Sequence, residues 1–242
     1  MSDPQNTESS ILPPAKQTDP PAPLQTRASL WFELMAVLAI GVLPQVASAL
    51  SVFVVPYRRM PMWLEAVHVS LHSLFVIMPV LYIMHRSGKS WAAFGIVRPR
   101  VMDMPFALLM LIAGWVASSS GIGFEFDKWA RSAEDDFAIP RSRTDYLLMM
   151  IMYFWIATSE ELVCRAYLIP RLQELTGSVV KAIVLSSILF TSYHIYYGIG
   201  GVAGPFLFGM VYSVSFVILQ RIWPLAVGHA LVDILISWRP TH

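Results

Sequence analysis

The sequence predicts an all-α fold, a polytopic transmembrane helical bundle of about seven spans. Hydrophobic residues make up 56% of the 242 residues and charged residues only 14%, whereas soluble domains carry roughly 25% charged residues. Too few charges remain to cover a surface that faces water. From Leu30 onward, apolar stretches of about the length that crosses a bilayer recur along the chain, and Pro and Gly residues separate them.

Each apolar stretch predicts one helix. In chain order, the predicted helices cover residues 29–55, 63–85, 102–120, 144–175, 178–197, 202–220 and 223–238. Pro44 lies inside the first stretch and predicts a kink there, because proline removes a helical hydrogen bond. The count becomes eight spans if residues 121–143 contain a further short helix.

The N-terminal segment differs from the rest of the chain. Residues 1–27 are rich in Pro and polar residues and have almost no apolar pattern, which predicts a disordered tail. We therefore expect three parts: this tail, N-terminal transmembrane helices over 28–143, and a catalytic transmembrane core over 144–242.

Charge and cysteine content exclude several classes of function. The net charge of +1 and the lack of a basic stripe argue against nucleic-acid binding. The single cysteine, Cys164, excludes an intrachain disulfide and a Cys-based metal cluster, and we interpret it as a packing residue. Lys and Arg are in slight excess in the loops on the side of the N-terminus, which favours a cytoplasmic N-terminus in the cell inner membrane.

Two adjacent carboxylates predict the functional site. Glu160 and Glu161 directly follow the apolar run 146–158, and an ionisable group at membrane depth is costly unless it has a function or a partner. His194 and His229 also lie in apolar runs. Glu160 precedes Gly177 by 17 residues and His194 follows it by 17, so an antiparallel hairpin would place the two at the same height.

Three pairs of residues are spaced four apart, which puts both members of a pair on one helix face. The pairs are Glu161 with Arg165, Phe190 with His194, and His229 with Asp233. Because of its spacing, we assign the Glu161–Arg165 pair mainly to structure and orientation.

Together these pairs resemble the CAAX prenyl endopeptidase and bacteriocin-processing family of intramembrane proteases (the ABI or CPBP family). That family has the motifs EExxxR, FxxxH and HxxxN or HxxxD in this order. They correspond here to Glu160-Glu161-x-x-x-Arg165, Phe190-x-x-x-His194 and His229-x-x-x-Asp233. The resemblance covers roughly residues 144–238.

The resemblance implies peptide hydrolysis, which needs an activated water and a stabilised oxyanion. Glu160 would be the general base and His194 would help to position the water. His229 and Asp233 would donate to or orient the oxyanion site, with Asp233 holding the tautomer of His229, and Phe190 would shape the pocket wall. We expect no cofactor; if zinc is bound instead, Glu160, His194 and His229 would be its ligands.

The implied substrate is a membrane-associated peptide or a lipidated protein, and a prenylated CAAX tail is one candidate. We expect such a substrate to enter sideways from the bilayer, with the opening of the site on the cytoplasmic side. Two other classes of function compete with this one. The first is a non-proteolytic scaffold or bacteriocin-immunity protein with the same fold. The second is a transporter that uses the buried carboxylate and histidines as a proton relay, which the intact set of three motifs disfavours.

Overall fold

The residues that the structure describes form seven helices and no strand. This structure is a computed structural model, and it describes residues 26–54, 60–119, 140–198 and 202–237. The helices are α1 Arg27–Ser51, α2 Met62–Arg86, α3 Asp103–Ser119, α4 Arg143–Thr176, α5 Val179–Ser192, α6 Ala203–Leu219 and α7 Trp223–Ser237. The prediction of an all-α bundle is confirmed, with one helix for each predicted apolar stretch.

Three helices, α1, α2 and α4, are long and apolar enough to cross a membrane. The other four are apolar but have 17 residues or fewer, so the number of spans stays a prediction. Most of the segment 121–143, which would contain the eighth predicted helix, lies outside the described residues. So do residues 1–25 of the predicted tail, although α1 begins at Arg27, within the predicted tail boundary.

α1 is interrupted close to Pro44, where the sequence predicts a kink. The regular helix stops at Gly41 and resumes at Leu43, which makes Pro44 one of the first residues of the second part. Proline is tolerated at that position because the first amides of a helix have no intrahelical acceptor. The break therefore lies just before the proline.

Local capping sets the boundaries of the helices that carry the motifs. Ser142 and Asp145 form a capping box at the start of α4, each side chain accepting a hydrogen bond from the other residue's backbone amide. Gly177 ends α4 in the left-handed conformation with φ +68°, which glycine adopts without a steric penalty. Ser178 then caps α5 by accepting from the amide of Lys181. The predicted hairpin at Gly177 is thus confirmed.

The turn at Gly177 defines one end of the bundle, called the Gly177 end below. Polar contacts between distant segments gather there. They are Lys89 with Glu174, Arg27 with the carbonyl of Leu175, and Arg221 with both Asp103 and the carbonyl of Arg98. Because α7 starts near these contacts and runs away from them, its last residue, Ser237, marks the opposite end, called the Ser237 end.

Two apolar cores hold the helices together. The larger core contains the second half of α4 and residues from every other helix. A smaller core lies between α2 and the first half of α4 and consists of Met62, Ala66, Met149 and Met152. Met149 and Met152 are buried there, so packing accounts for two of the methionines in the run that precedes the two glutamates.

Candidate active site

The two glutamates lie where α4 changes its helical geometry. Regular α-helix ends at Glu161, and a π-helical segment, Leu162–Tyr167, follows before α-helix resumes. A π-helical turn inserts an extra residue and is frequent at functional sites. Ser186 of α5 donates a hydrogen bond to the carbonyl of Cys164 inside this segment, which anchors the irregular turn to the neighbouring helix.

Glu161 is the centre of a fully buried cluster of charges. Its Oε1 atom accepts from Arg165 Nη1 at 3.0 Å and from His229 Nδ1 at 2.8 Å. The Glu161 and Arg165 side chains both have 0% exposure. The predicted structural pair is therefore present, and it also includes His229, which the spacing along the chain does not indicate.

Glu160 faces the other nitrogen of the same imidazole. Its Oε2 atom lies 3.6 Å from His229 Nε2, and Asp233 Oδ1 lies 3.7 Å from that nitrogen. Both separations are longer than a direct hydrogen bond. Among the described residues, no donor forms a hydrogen bond with the Glu160 carboxylate. This carboxylate therefore lies next to His229 without bonding to it.

The close hydrogen-bond partner of His229 is Glu161. Because a carboxylate can only accept, the 2.8 Å contact with Glu161 requires His229 Nδ1 to carry a proton. Asp233 instead faces Nε2 and is 23% exposed. In the structure it is therefore Glu161, not Asp233, that lies within hydrogen-bond distance of the ring, because α4 brings Glu161 to its deeper side.

His194 lies just beyond its helix, not within it. The predicted helix 178–197 ends at Ser192, and the chain continues through a turn into the 3-10 helix Ile195–Tyr197. His194 Nδ1 lies 2.9 Å from the carbonyl oxygen of Phe190, which orients the ring. No hydrogen bond or ion pair joins His194 to Glu160.

Phe190 links His194 to the charged cluster. Its ring centroid lies 4.6 Å from the ring of His194 and 5.9 Å from that of His229. The guanidinium carbon of Arg165 lies 4.4 Å from the Phe190 centroid, a distance typical of cation–π contacts. The Phe190 ring thus lies beside both histidines.

Two aromatic residues of α6 form a wall beside His229, and the sequence analysis missed both. Phe208 stacks on Tyr212, and their ring centroids lie 4.6 Å and 5.6 Å from that of His229. The Tyr212 hydroxyl donates to the carbonyl of Met110 on α3. Their spacing of four residues indicates that both rings lie on one face of α6, and this pattern could have identified them from the sequence.

The predicted zinc ligands do not form a metal site in this arrangement. Within the described ranges, no three His, Cys, Asp or Glu side chains are grouped so that they could hold a metal ion. The Nδ1 atom of His194 faces the backbone carbonyl oxygen of Phe190. We therefore derive no step through zinc.

Cys164 is 1% exposed, and its sulfur lies 3.6 Å from the hydroxyl of Tyr193. This position agrees with the interpretation of Cys164 as a packing residue. Among the described residues, no imidazole bonds to its sulfur, as activation as a nucleophile would require.

Fold and site together define an integral membrane protein with a buried carboxylate–histidine centre. Residues 142–235 match the family model of type II CAAX prenyl endopeptidase Rce1-like proteins. This match contains all three motifs and confirms the predicted resemblance to CAAX protease-like membrane proteins. No curated protein and no solved structure is similar enough to the chain to match it.

Proposed function

We propose that the protein is an intramembrane endopeptidase in which Glu160 activates a water molecule that hydrolyses a peptide bond. The observation that carries this proposal is the contrast between two adjacent carboxylates. Glu161 accepts hydrogen bonds from Arg165 and His229. In contrast, Glu160 accepts no hydrogen bond from a described residue and is 6% exposed. Glu160 is therefore the carboxylate that can take up and deprotonate water.

His229 is the second group of the proposed mechanism. Its Nδ1 proton is engaged by Glu161, so its Nε2 is the atom that faces the reacting groups. Glu160 and Asp233 flank Nε2 at 3.6 and 3.7 Å, separations that a bridging water would span. In its protonated form, Nε2 would donate to the oxyanion of the tetrahedral intermediate.

Asp233 and His194 have supporting roles in this proposal. Asp233 orients the water or the scissile carbonyl from the exposed side of His229. His194, fixed by the Phe190 carbonyl, binds the substrate or the water from the end of α5. After attack, the proton that Glu160 takes from water passes to the leaving amine, which balances the hydrolysis.

The proposed substrate is a membrane-associated peptide, with a prenylated protein tail as one candidate. A site buried among apolar helices strengthens the electrostatic interactions of base and oxyanion donors, since little water screens them. We place the protein in the cell inner membrane with its N-terminus in the cytoplasm.

The test is the substitution Glu160→Gln in purified protein, assayed on a panel of prenylated and unmodified peptides with products identified by mass spectrometry. Hydrolysis should fall by about 10²-fold or more, the typical contribution of a general base. Glu174→Gln is the matched control, because Glu174 bonds Lys89 and Arg171 at the Gly177 end, away from the site. Near-normal turnover by Glu160→Gln would refute the mechanism, and an inactive wild-type protein would favour a scaffold or immunity protein.

A further inference from the structure

Positive charge is concentrated in the loop between α2 and α3, away from the candidate active site. Residues 86–102, which end α2 and lead to α3, contain Arg86, Lys89, Arg98 and Arg100 and no carboxylate. The loop lies at the Gly177 end, where Lys89 forms an ion pair with Glu174 of α4. A segment with four positive charges and no negative charge attracts anions.

The backbone of this loop is fixed to the residues that start α7. The carbonyl of Gly95 accepts from the amide of Ile222 at 3.0 Å, and the carbonyl of Arg98 accepts from Arg221 Nη2 at 2.8 Å. The indole of Trp223 donates to a further carbonyl of the loop. Three successive residues thus hold the loop, so the positions of its charged residues are defined by the fold.

The carboxylate that follows the loop is bonded to other groups. Asp103 accepts from Arg221 Nε at 2.6 Å, from Arg221 Nη2 at 2.7 Å and from the backbone amide of Arg100 at 2.8 Å. Among the described residues, no carboxylate forms an ion pair with the side chain of Arg98 or Arg100. Both side chains are exposed, so their guanidinium groups are available to an external anion.

Exposed apolar side chains adjoin the two arginines. Val101 is 89% exposed and Met102 is 64% exposed, and the apolar helix α3 begins at the next residue. Trp91, in a 3-10 helix of the same loop, is 42% exposed. In a membrane protein, cations and tryptophan directly before an apolar helix are typical of the level where lipid headgroups meet acyl chains.

We infer that Arg98 and Arg100 bind the phosphate of an anionic phospholipid, with Val101 and Met102 against its acyl chains. A guanidinium group matches phosphate through two parallel hydrogen bonds. Pro99 favours an extended backbone at Arg98, in which residues two apart point to the same side. A free phosphate ion would make no contact with the exposed apolar residues, which favours a lipid as the occupant.

The site can be tested by native mass spectrometry of the full-length protein in a neutral detergent, titrated with short-chain phosphatidylglycerol. The double variant Arg98→Gln, Arg100→Gln should bind this lipid about 25-fold more weakly, since each cation near an anionic lipid surface contributes about fivefold. The matched control is Arg141→Gln, Arg143→Gln. It removes two exposed arginines with the same spacing at the start of α4, away from the Gly177 end, and should bind within about twofold of the wild-type protein.

Two further ligands distinguish a lipid site from a simple anion site. Phosphatidylcholine has a phosphate but no net charge, and it should bind the wild-type protein more weakly than phosphatidylglycerol. Inorganic phosphate at millimolar concentration should not displace phosphatidylglycerol, because it lacks acyl chains. Displacement by inorganic phosphate, or equal binding of the two lipids, would overturn the inference. Equal loss of phosphatidylglycerol binding in the two double variants, or no loss in either, would also overturn it.

A third double variant separates loss of charge from loss of fold. Arg98→Lys, Arg100→Lys keeps both charges and should bind phosphatidylglycerol more tightly than the glutamine pair does. Phosphatidylglycerol should also raise the melting temperature of the wild-type protein more than that of Arg98→Gln, Arg100→Gln, because a ligand that binds the folded state stabilises it. An equal rise in both proteins would place the lipid elsewhere. These measurements need no hydrolysis, so they do not depend on the proposed function.

Discussion

The substitution Glu161→Gln tests whether the buried charge cluster holds both the fold and the site. It keeps the shape of the side chain but removes the negative charge that faces Arg165 and His229. Arg165 is 0% exposed and, among the described residues, Glu161 is its one ion-pair partner. Its Nε atom already lacks a hydrogen-bond partner in the same part of the chain. The guanidinium charge would then be buried without compensation.

The expected cost is large. Removing one partner of a buried ion pair costs about 3–5 kcal/mol. For chains of this size, each kcal/mol shifts the melting temperature by roughly 2–4 °C, so Glu161→Gln should lower it by about 6–20 °C. Glu160→Gln should cost much less stability, because Glu160 accepts no hydrogen bond from a described residue.

Turnover should fall as well, since Glu161 holds the Nδ1 proton of His229. Replacing the carboxylate that orients a catalytic imidazole by an amide can cost roughly 10⁴-fold in kcat. We therefore expect Glu161→Gln to lose both stability and activity, and Glu160→Gln to lose activity alone.

The buried Cys164 supplies the assay for unfolding. A dye that becomes fluorescent on reacting with thiols should label Cys164 only as the protein unfolds in detergent. Peptide hydrolysis is measured on the same samples below the melting temperature. The double variant Glu161→Gln, Arg165→Met should regain part of the lost stability, because no charge is left unpaired.

The reasoning fails if Glu161→Gln melts within about 2 °C of the wild-type protein, well below the shift that a broken buried pair implies. It also fails if Glu161→Gln lowers the stability of the Arg165→Met protein as much as it lowers that of the wild-type protein, because the loss would then not come from the pair. Either result would mean that the Glu161–Arg165 pair is not a principal source of stability.

Three further predictions concern packing, thiol chemistry and metal. Gly228→Ala should destabilise the protein by about 1–3 kcal/mol and reduce hydrolysis, because its Cβ would lie 2.6 Å from Met110 Cβ and 2.9 Å from the Ala107 carbonyl oxygen, next to His229. Gly177→Ala strains the backbone, since Gly177 has φ +68°, but its Cβ meets no atom within 4 Å; it should therefore keep the activity per folded molecule. Alkylating reagents should leave hydrolysis by the folded protein unchanged, since Cys164 is 1% exposed, and loss of activity that Cys164→Ala prevents would contradict this. Exhaustive chelation should also leave hydrolysis unchanged if Glu160 acts directly on water. If chelation abolished hydrolysis and added zinc restored it, the general base would be a residue other than Glu160.

The helices and the motif residues could be predicted from the sequence because they depend on local properties. Apolar stretches, helix breakers and capping residues act over a few positions, so α4 ends at Gly177 and α5 begins after Ser178, as expected. The Glu161–Arg165 pair was also predictable, since it spans one helical turn. Three spaced motifs then sufficed to indicate the family.

The tertiary structure decided which groups the site residues meet. The hydrogen bond from His229 to Glu161 joins positions 68 residues apart, and it depends on how α4 and α7 are rotated against each other. The π-helical segment, the position of His194 beyond α5 and the aromatic wall from α6 have the same origin. Spacing along a chain determines the face of a helix, but only the packing of several helices determines what that face contacts.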